Sequence, residues 1–177
     1  GFAGLMGAIM LGPRTGRFNL EGQPNPMKAH NLVLSTVGCM FLWFGWFGFN
    51  AGSAYAADNT AAIAATNTLL ATCAAGLAWL IVEKIRDKKA TSLGAASGIV
   101  AGLVAITPAC ANVTPMGAIL LGLVAGAVCA WAVTLKYKLG FDDSFDVVGI
   151  HLVGGLVGTL ALGFLASDLV EEGGQNG

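Results

Sequence analysis

Charge is scarce in this sequence. Asp, Glu, Lys and Arg make up 11% of its 177 residues, against about 25% in a typical soluble domain. The scarcity is also uneven. No charged residue falls from Ala29 to Ala57, from Asn59 to Val82, from Ala90 to Leu135, or from Val147 to Ser167. Each run meets or exceeds the roughly 20 residues that cross a bilayer. These gaps exclude an ordinary soluble domain and imply an integral membrane protein in contact with the lipid bilayer. Histidine is scarcer still, with only His30 and His151. The cysteines Cys39, Cys73, Cys110 and Cys129 lack CxxC spacing, so no zinc or haem framework is expected. They read as small apolar packing residues. No cofactor is implied. A net charge of −1 without a basic patch gives no footing for nucleic acid. Asp142 and Asp143 lack the metal ligands or nucleophile that would make an enzyme, and suit a helix N-terminus instead. Gly1–Leu11 has no basic n-region, so no signal peptide is expected.

The run Ala90–Leu135 is 46 residues long. As one helix it would measure about 69 Å, far more than the ~30 Å hydrocarbon core. It must turn back, and "TPACANVTP" (107–115) supplies the prolines and polar residues of a turn. The reading is an all-α polytopic membrane bundle. It has a partial span at 1–12 and crossings at roughly 32–52, 60–82, 92–107, 116–135 and 147–166. All nine basic residues fall in alternate loops: Arg14, Arg17 and Lys28; Lys84, Arg86, Lys88 and Lys89; Lys136 and Lys138. The positive-inside rule makes loops 13–31, 83–91 and 136–146 cytoplasmic. The polar tail 167–177 is then outside. A first residue that is glycine rather than methionine suggests a fragment or processed product, cut partway through a helix.

Among the residues that could carry chemistry, His151 comes first. At helical spacing Gly154, Gly155 and Gly158 share its face, and small residues let helices approach closely. His151 is therefore expected to point into the bundle, where an ionisable group is a functional candidate by default. A neutral imidazole could hydrogen-bond a small polar solute or pass a proton. It could equally be bonded to a neighbouring helix. Its depth is open: about 6 Å if the last helix starts at Val147, about 15 Å if it starts near Phe141. The second case draws Asp146 into the bundle, where it needs hydrogen-bond partners. On the second span, Trp46, Phe49 and Ser53 share a face with Gly45 and Gly52. They read either as an interfacial aromatic belt or as a shallow pocket in which aromatic faces attract a small cation and a hydroxyl accepts its hydrogen bond. Asn67 and Thr68 read as interhelical hydrogen bonders. His30 reads as a solvated or helix-start residue.

Five stretches, "GPRTGRF", "FGWFGFNAGSA", "NTLLAT", "SGIVAGLVAITPAC" and "GFDDSFDVVGIHLVGG", together resemble the ammonium transporter (Amt/Rh) family over residues 1 to about 166. The resemblance implies a homotrimer in which each subunit carries a pore through eleven helices built from two inverted five-helix repeats. This chain would hold the end of the fifth helix and helices six to ten, essentially the second repeat. It further implies that Phe49 is one of two stacked gating phenylalanines and that Ser53 helps hold ammonium in an outer vestibule. Trp46 would line the pore, and His151 would be the second of a central histidine pair. Asp146 would be a supporting aspartate on the cytoplasmic side. The first histidine and the other vestibule residues would precede Gly1, so the fragment alone could not build the pore. Leu152 departs from the glycine common after the histidine, which bears on packing beside His151. The implied activity is transport of ammonium as ammonia through a narrow apolar bore, with possible control by a cytoplasmic regulatory protein. The rival is an ammonium sensor signalling through its cytoplasmic face. A redox subunit is disfavoured, since one of the two histidines lies in a loop.

Overall fold

A polar residue starts each long helix. Asn31 caps α2 (Leu32–Asn50) by accepting the Leu34 N–H at 3.0 Å. Asp58 caps α3 (Asn59–Asp87) through the Ala61 N–H at 2.9 Å. Thr91 caps α4 (Ser92–Ile106) through the Gly94 N–H at 2.9 Å. Thr114 caps α5 (Pro115–Ala132) at 3.2 Å, followed by proline at the first helical position. Such caps satisfy amides that the helix itself leaves unpaired, and each contributes about 0.5–2 kcal/mol. These contacts come from a computed structural model that describes residues 1–167. The expectations for an outside, truncated tail fall on residues 168–177 and lie outside the described residues.

The remaining elements are α1 (Phe2–Leu11), the short α6 (Leu135–Leu139), and α7 (Val153–Leu165) with a π-helical turn, Val148–Leu152, before it. Single 3₁₀ turns extend α2 through Ala54 and α4 through Ala109. Five segments are long and apolar enough to cross a membrane: Leu32–Ala54, Asn59–Asp87, Ser92–Ala109, Pro115–Leu139 and Val148–Leu165. Extended pairing among the described residues is confined to two isolated bridges. The all-helical membrane bundle expected from the charge gaps is what the chain forms.

α3 is the central element. Its 29 residues extend about 44 Å, longer than a bilayer core. α4 and α5 pack along it with small residues at the closest approaches. Gly122 and Gly126 of α5 lie directly on the backbone at Ala71 and Ala75 of α3, with no room for a Cβ at either glycine. Ala71 and Ala75 are fully buried. Polar bonds add to this packing. Asn67 donates to the carbonyls of Cys110 (2.8 Å) and Val113 (2.7 Å), clamping the α4–α5 turn to α3. Asn50 donates to Thr68 at 3.0 Å, joining α2 to α3. Both residues expected to bond between helices do so. By contrast, α1 buries none of its residues and α2 buries only Cys39 and Asn50.

The three basic loops gather at one end. Arg86 donates to the Ala130 carbonyl near the end of α5. Arg14 binds Asp142 through its backbone N–H (3.0 Å), Nε (2.7 Å) and Nη2 (2.9 Å). Arg17 lies 3.4 Å from the same carboxylate. Asp142 is therefore an inter-loop lock, while its neighbour Asp143 takes the helix-start role expected for both. Arg14 holds the Asp142 carboxyl down at about 2, chiefly through the side-chain hydrogen bond. Because this folded value lies below the ordinary ~3.9, the lock is fully present above about pH 4 and is lost as pH falls through the folded value. Asp142→Asn is accordingly expected to open the 13–31 loop at neutral pH, seen as faster tryptic cleavage at Arg14 or Arg17. Equal cleavage in parent and variant would show that the lock does not hold the loop.

Candidate functional site

Two groups of candidate residues lie at opposite ends of α2. At its C-terminal end, the Trp46 and Phe49 rings meet edge-to-face, with centroids 5.9 Å apart and planes inclined at 73°. The Trp46 indole donates to Thr107 Oγ1 at 2.8 Å, and Thr107 donates to the Leu103 carbonyl at 2.7 Å. That chain fixes the indole against α4. Phe49 is 60% exposed. Ser53, also exposed, donates its hydroxyl hydrogen to the Phe49 carbonyl. A hydroxyl has one hydrogen and two lone pairs. With its hydrogen committed, Ser53 Oγ can only accept, which suits a cationic N–H donor. Thr107 is the member of this group that spacing along α2 did not reveal, because it arrives from another helix.

Near the N-terminal end of α2 lies an open groove of about 480 Å³. Cys39 and Leu42 of α2, Ala96 and Val100 of α4, and Ile150 and His151 line part of it. The lining is mostly apolar. Cys39 and Phe49 are ten residues apart, or about 15 Å along the axis, so the two groups are stacked along one helix. His151 is half-buried on the groove wall. Among the described residues, its imidazole has no hydrogen-bond partner.

The turn carrying His151 is not regular α-helix. The Val153 N–H reaches both the Ile150 and the Val148 carbonyls, which widens the turn by one residue. Wide turns of this kind recur at functional sites. They also shift the helical phase. Gly154 packs near Cys129 and Ala101, and Gly158 lies on Ala105, but nothing lies within 4 Å of a Cβ at Gly155. Gly154 and Gly158 thus pack against α4 and α5, while Gly155 meets no described residue. The π turn follows Val147, the nearer of the two starts considered.

Asp143 Oδ1 accepts the Val147 N–H at 2.9 Å, and Oδ2 accepts that of Val148 at 2.7 Å. Asp146 stands just before the span in a left-handed conformation, φ 56°. Its carbonyl accepts the Ile150 N–H at 2.8 Å. Its carboxylate is bonded by Lys136, whose Nζ also donates to the Asp143 carbonyl at 2.9 Å. Burial pushes the Asp146 carboxyl up, and Lys136 pulls it back. Asp146 thus has the hydrogen-bond partner its position requires. On the other side of this turn, any side chain at Gly1 would overlap Leu152, and one at Gly4 would meet Val147. The bulk at Leu152 is accommodated by the glycine facing it. Among the described residues, no group of three His, Cys, Asp or Glu is placed to hold a metal ion.

An all-helical bundle with five segments long and apolar enough to cross a membrane defines a multi-pass membrane protein. The Ammonium Transporter Family profile matches residues 1–177, and the chain belongs to that family. An ammonium transporter from Mycobacterium tuberculosis (strain H37Rv) is 57% identical over 168 residues, covering 94% of this chain and 34% of that protein. The crystal structure of Candida albicans Mep2 superposes with a TM-score of 0.86 at 37% identity, covering 96% of this chain and 37% of that one. A sensor Amt protein gives a TM-score of 0.87 at 37% identity, covering 92% and 40%. The chain spans about a third to two fifths of the length of these proteins. Membership in a transporter family agrees with the expectation that this is no enzyme.

Proposed function

We propose that the full-length protein conducts ammonium across the membrane as ammonia, with this chain supplying its second repeat, residues 1–166. The observation that carries this reading is the arrangement along α2. An aromatic pair and an acceptor-only hydroxyl stand at one end, and a histidine with no hydrogen-bond partner among the described residues stands in a mostly apolar groove at the other. A cation can be recruited at the first place by ring faces and Ser53 Oγ. An apolar bore is costly for a bare cation and tolerable for a neutral solute, provided a group such as His151 can hydrogen-bond it. Asp146 supports the inner end. The end that gathers the basic loops 13–31, 83–91 and 136–146 is the cytoplasmic one, by the charge rule. The Ser53 end then faces outside, as does the tail 167–177. In this reading the whole protein is a homotrimer open to control by a cytoplasmic partner, and residues 1–177 alone are incompetent.

Methylammonium uptake into proteoliposomes tests the reading. The full-length parent is expected to carry flux and the 177-residue segment none. Ser53→Ala is expected to raise the apparent KM by about ten- to a hundredfold, the loss of one hydrogen bond to a charged donor. An unchanged KM would return Trp46, Phe49 and Ser53 to an aromatic belt. A parent that binds ammonium without moving it would instead favour a sensor.

A further inference from the structure

We propose that Lys136 is a positioning residue for the conduction path, cancelling the Asp146 charge beside it and holding the start of the last span so that His151 stands in the groove. The proposal rests on the conduction reading above. Lys136 lies in α6, ahead of that span, yet it is only 8% exposed. A lysine seldom forgoes water without a compensating charge and hydrogen bonds. Here it has both: the Asp146 carboxylate and, at 2.9 Å, the Asp143 carbonyl.

The second bond matters because of what Asp143 does at its other end. Its carboxylate holds the first two amides of the span, at Val147 and Val148. One ammonium group therefore fixes both aspartates that start the helix, and His151 follows within little more than a turn. The left-handed backbone at Asp146 fits this view. Aspartate is one of the few residues other than glycine that adopt this conformation as single residues. Asp146 is pinned through its carboxylate by Lys136 and through its carbonyl by the Ile150 N–H. The surrounding charges do not substitute for Lys136. Arg14 and Arg17 are engaged by Asp142. Arg17 and Lys136 lie 5.0 and 5.2 Å from the Tyr137 ring centroid, so the ring serves both cations and neutralises neither. A cavity of about 70 Å³ borders Lys136, Asp143, Asp146 and Gly149, which gives a longer cationic side chain room at this position.

The test uses the full-length protein in proteoliposomes, with methylammonium as the probe and size-exclusion chromatography for assembly. Lys136→Met leaves Asp146 as an uncompensated, partly buried charge, and is expected to lower Vmax at least about tenfold. Apparent KM should stay close to that of the parent, since the Ser53 end is untouched. Lys136→Arg should keep Vmax within about threefold, because the cation is retained. The double variant Lys136→Met/Asp146→Asn removes the stranded charge but not the loss of the Asp143 contact, so its Vmax should lie between those of Lys136→Met and the parent. A parental Vmax in Lys136→Met overturns the proposal, as does a loss confined to KM. If Lys136→Met does not assemble, the double variant decides: assembly with a Vmax below the parent's supports the proposal, and a parental Vmax or a failure to assemble overturns it. A parent without flux removes the conduction reading and this proposal with it, whereas parental flux in Lys136→Met removes the proposal alone.

Discussion

His151→Ala in the full-length protein is expected to lower ammonium or methylammonium flux about ten- to a hundredfold, through loss of one hydrogen-bonding group along an apolar path. The assembled protein should remain intact. The imidazole is half-buried beside Ile150, Val100 and Leu42, and among the described residues it bonds to no other side chain or carbonyl. Its removal therefore breaks no hydrogen bond among the described residues. What it removes is a donor and acceptor for a small polar solute entering a mostly apolar groove. His151→Gln separates two roles, since an amide can hydrogen-bond the solute but cannot take up and release a proton at physiological pH. If hydrogen bonding is what matters, the Gln variant retains much more flux than the Ala variant. If proton transfer matters, both fall together. Normal flux and unchanged selectivity in His151→Ala would take the residue out of the path.

The bundle was legible because lipid imposes a simple demand on composition. Long gaps between charges, and the proline-rich break at 107–115, anticipate helices that begin at Leu32, Asn59, Ser92 and Pro115. The polar residues Asn31, Asp58, Thr91 and Thr114 stand immediately before them as caps. The local geometry around His151 was less legible. A regular wheel put Gly154, Gly155 and Gly158 on the histidine's face, but the π turn changes the phase between them. Nothing in the local sequence announces such a turn, since it depends on how the preceding loop is held. That loop depends on pairings across the chain: Arg14 with Asp142, 128 positions away, and Lys136 with Asp146, ten away. Single-sequence spacing does not reveal which charges meet. It could not separate Asp142, a partner for arginine, from Asp143, a cap. Nor could it show that Trp46 is anchored by Thr107, 61 residues on. At the Ser53 end, the residues by themselves left a belt and a pocket equally open. The family resemblance implies the pocket, and the Ser53 hydroxyl, bonded to the Phe49 carbonyl, is compatible with either reading.

Gly126→Leu is expected to abolish the folded, assembled protein, while Gly76→Ala is expected to be neutral or mildly stabilising. Both glycines are buried in helices that pack together, α5 and α3, so burial does not separate them. Clearance does. A Cβ at Gly126 would stand 2.8 Å from Ala75 Cα and closer still to its carbonyl oxygen. These are backbone atoms of the central helix, which cannot rotate aside as a side-chain end can. Even Gly126→Ala must push α5 off α3, with an overpacking penalty of about 1–3 kcal/mol against the roughly 1 kcal/mol that alanine gains over glycine in a helix. Leucine adds three more carbons to the same overlap. At Gly76 the nearest atom to an added Cβ is Ile99 Cγ1, at 3.6 Å, an ordinary contact. There the helix-propensity gain stands almost unopposed. Thermal stability followed by size-exclusion chromatography should rank Gly76→Ala at or above the parent, Gly126→Ala below it, and Gly126→Leu without a folded peak. A folded Gly126→Leu protein would mean that α3 and α5 are held by something other than this backbone approach. In that case the abundance of glycine in the helices would require a different explanation.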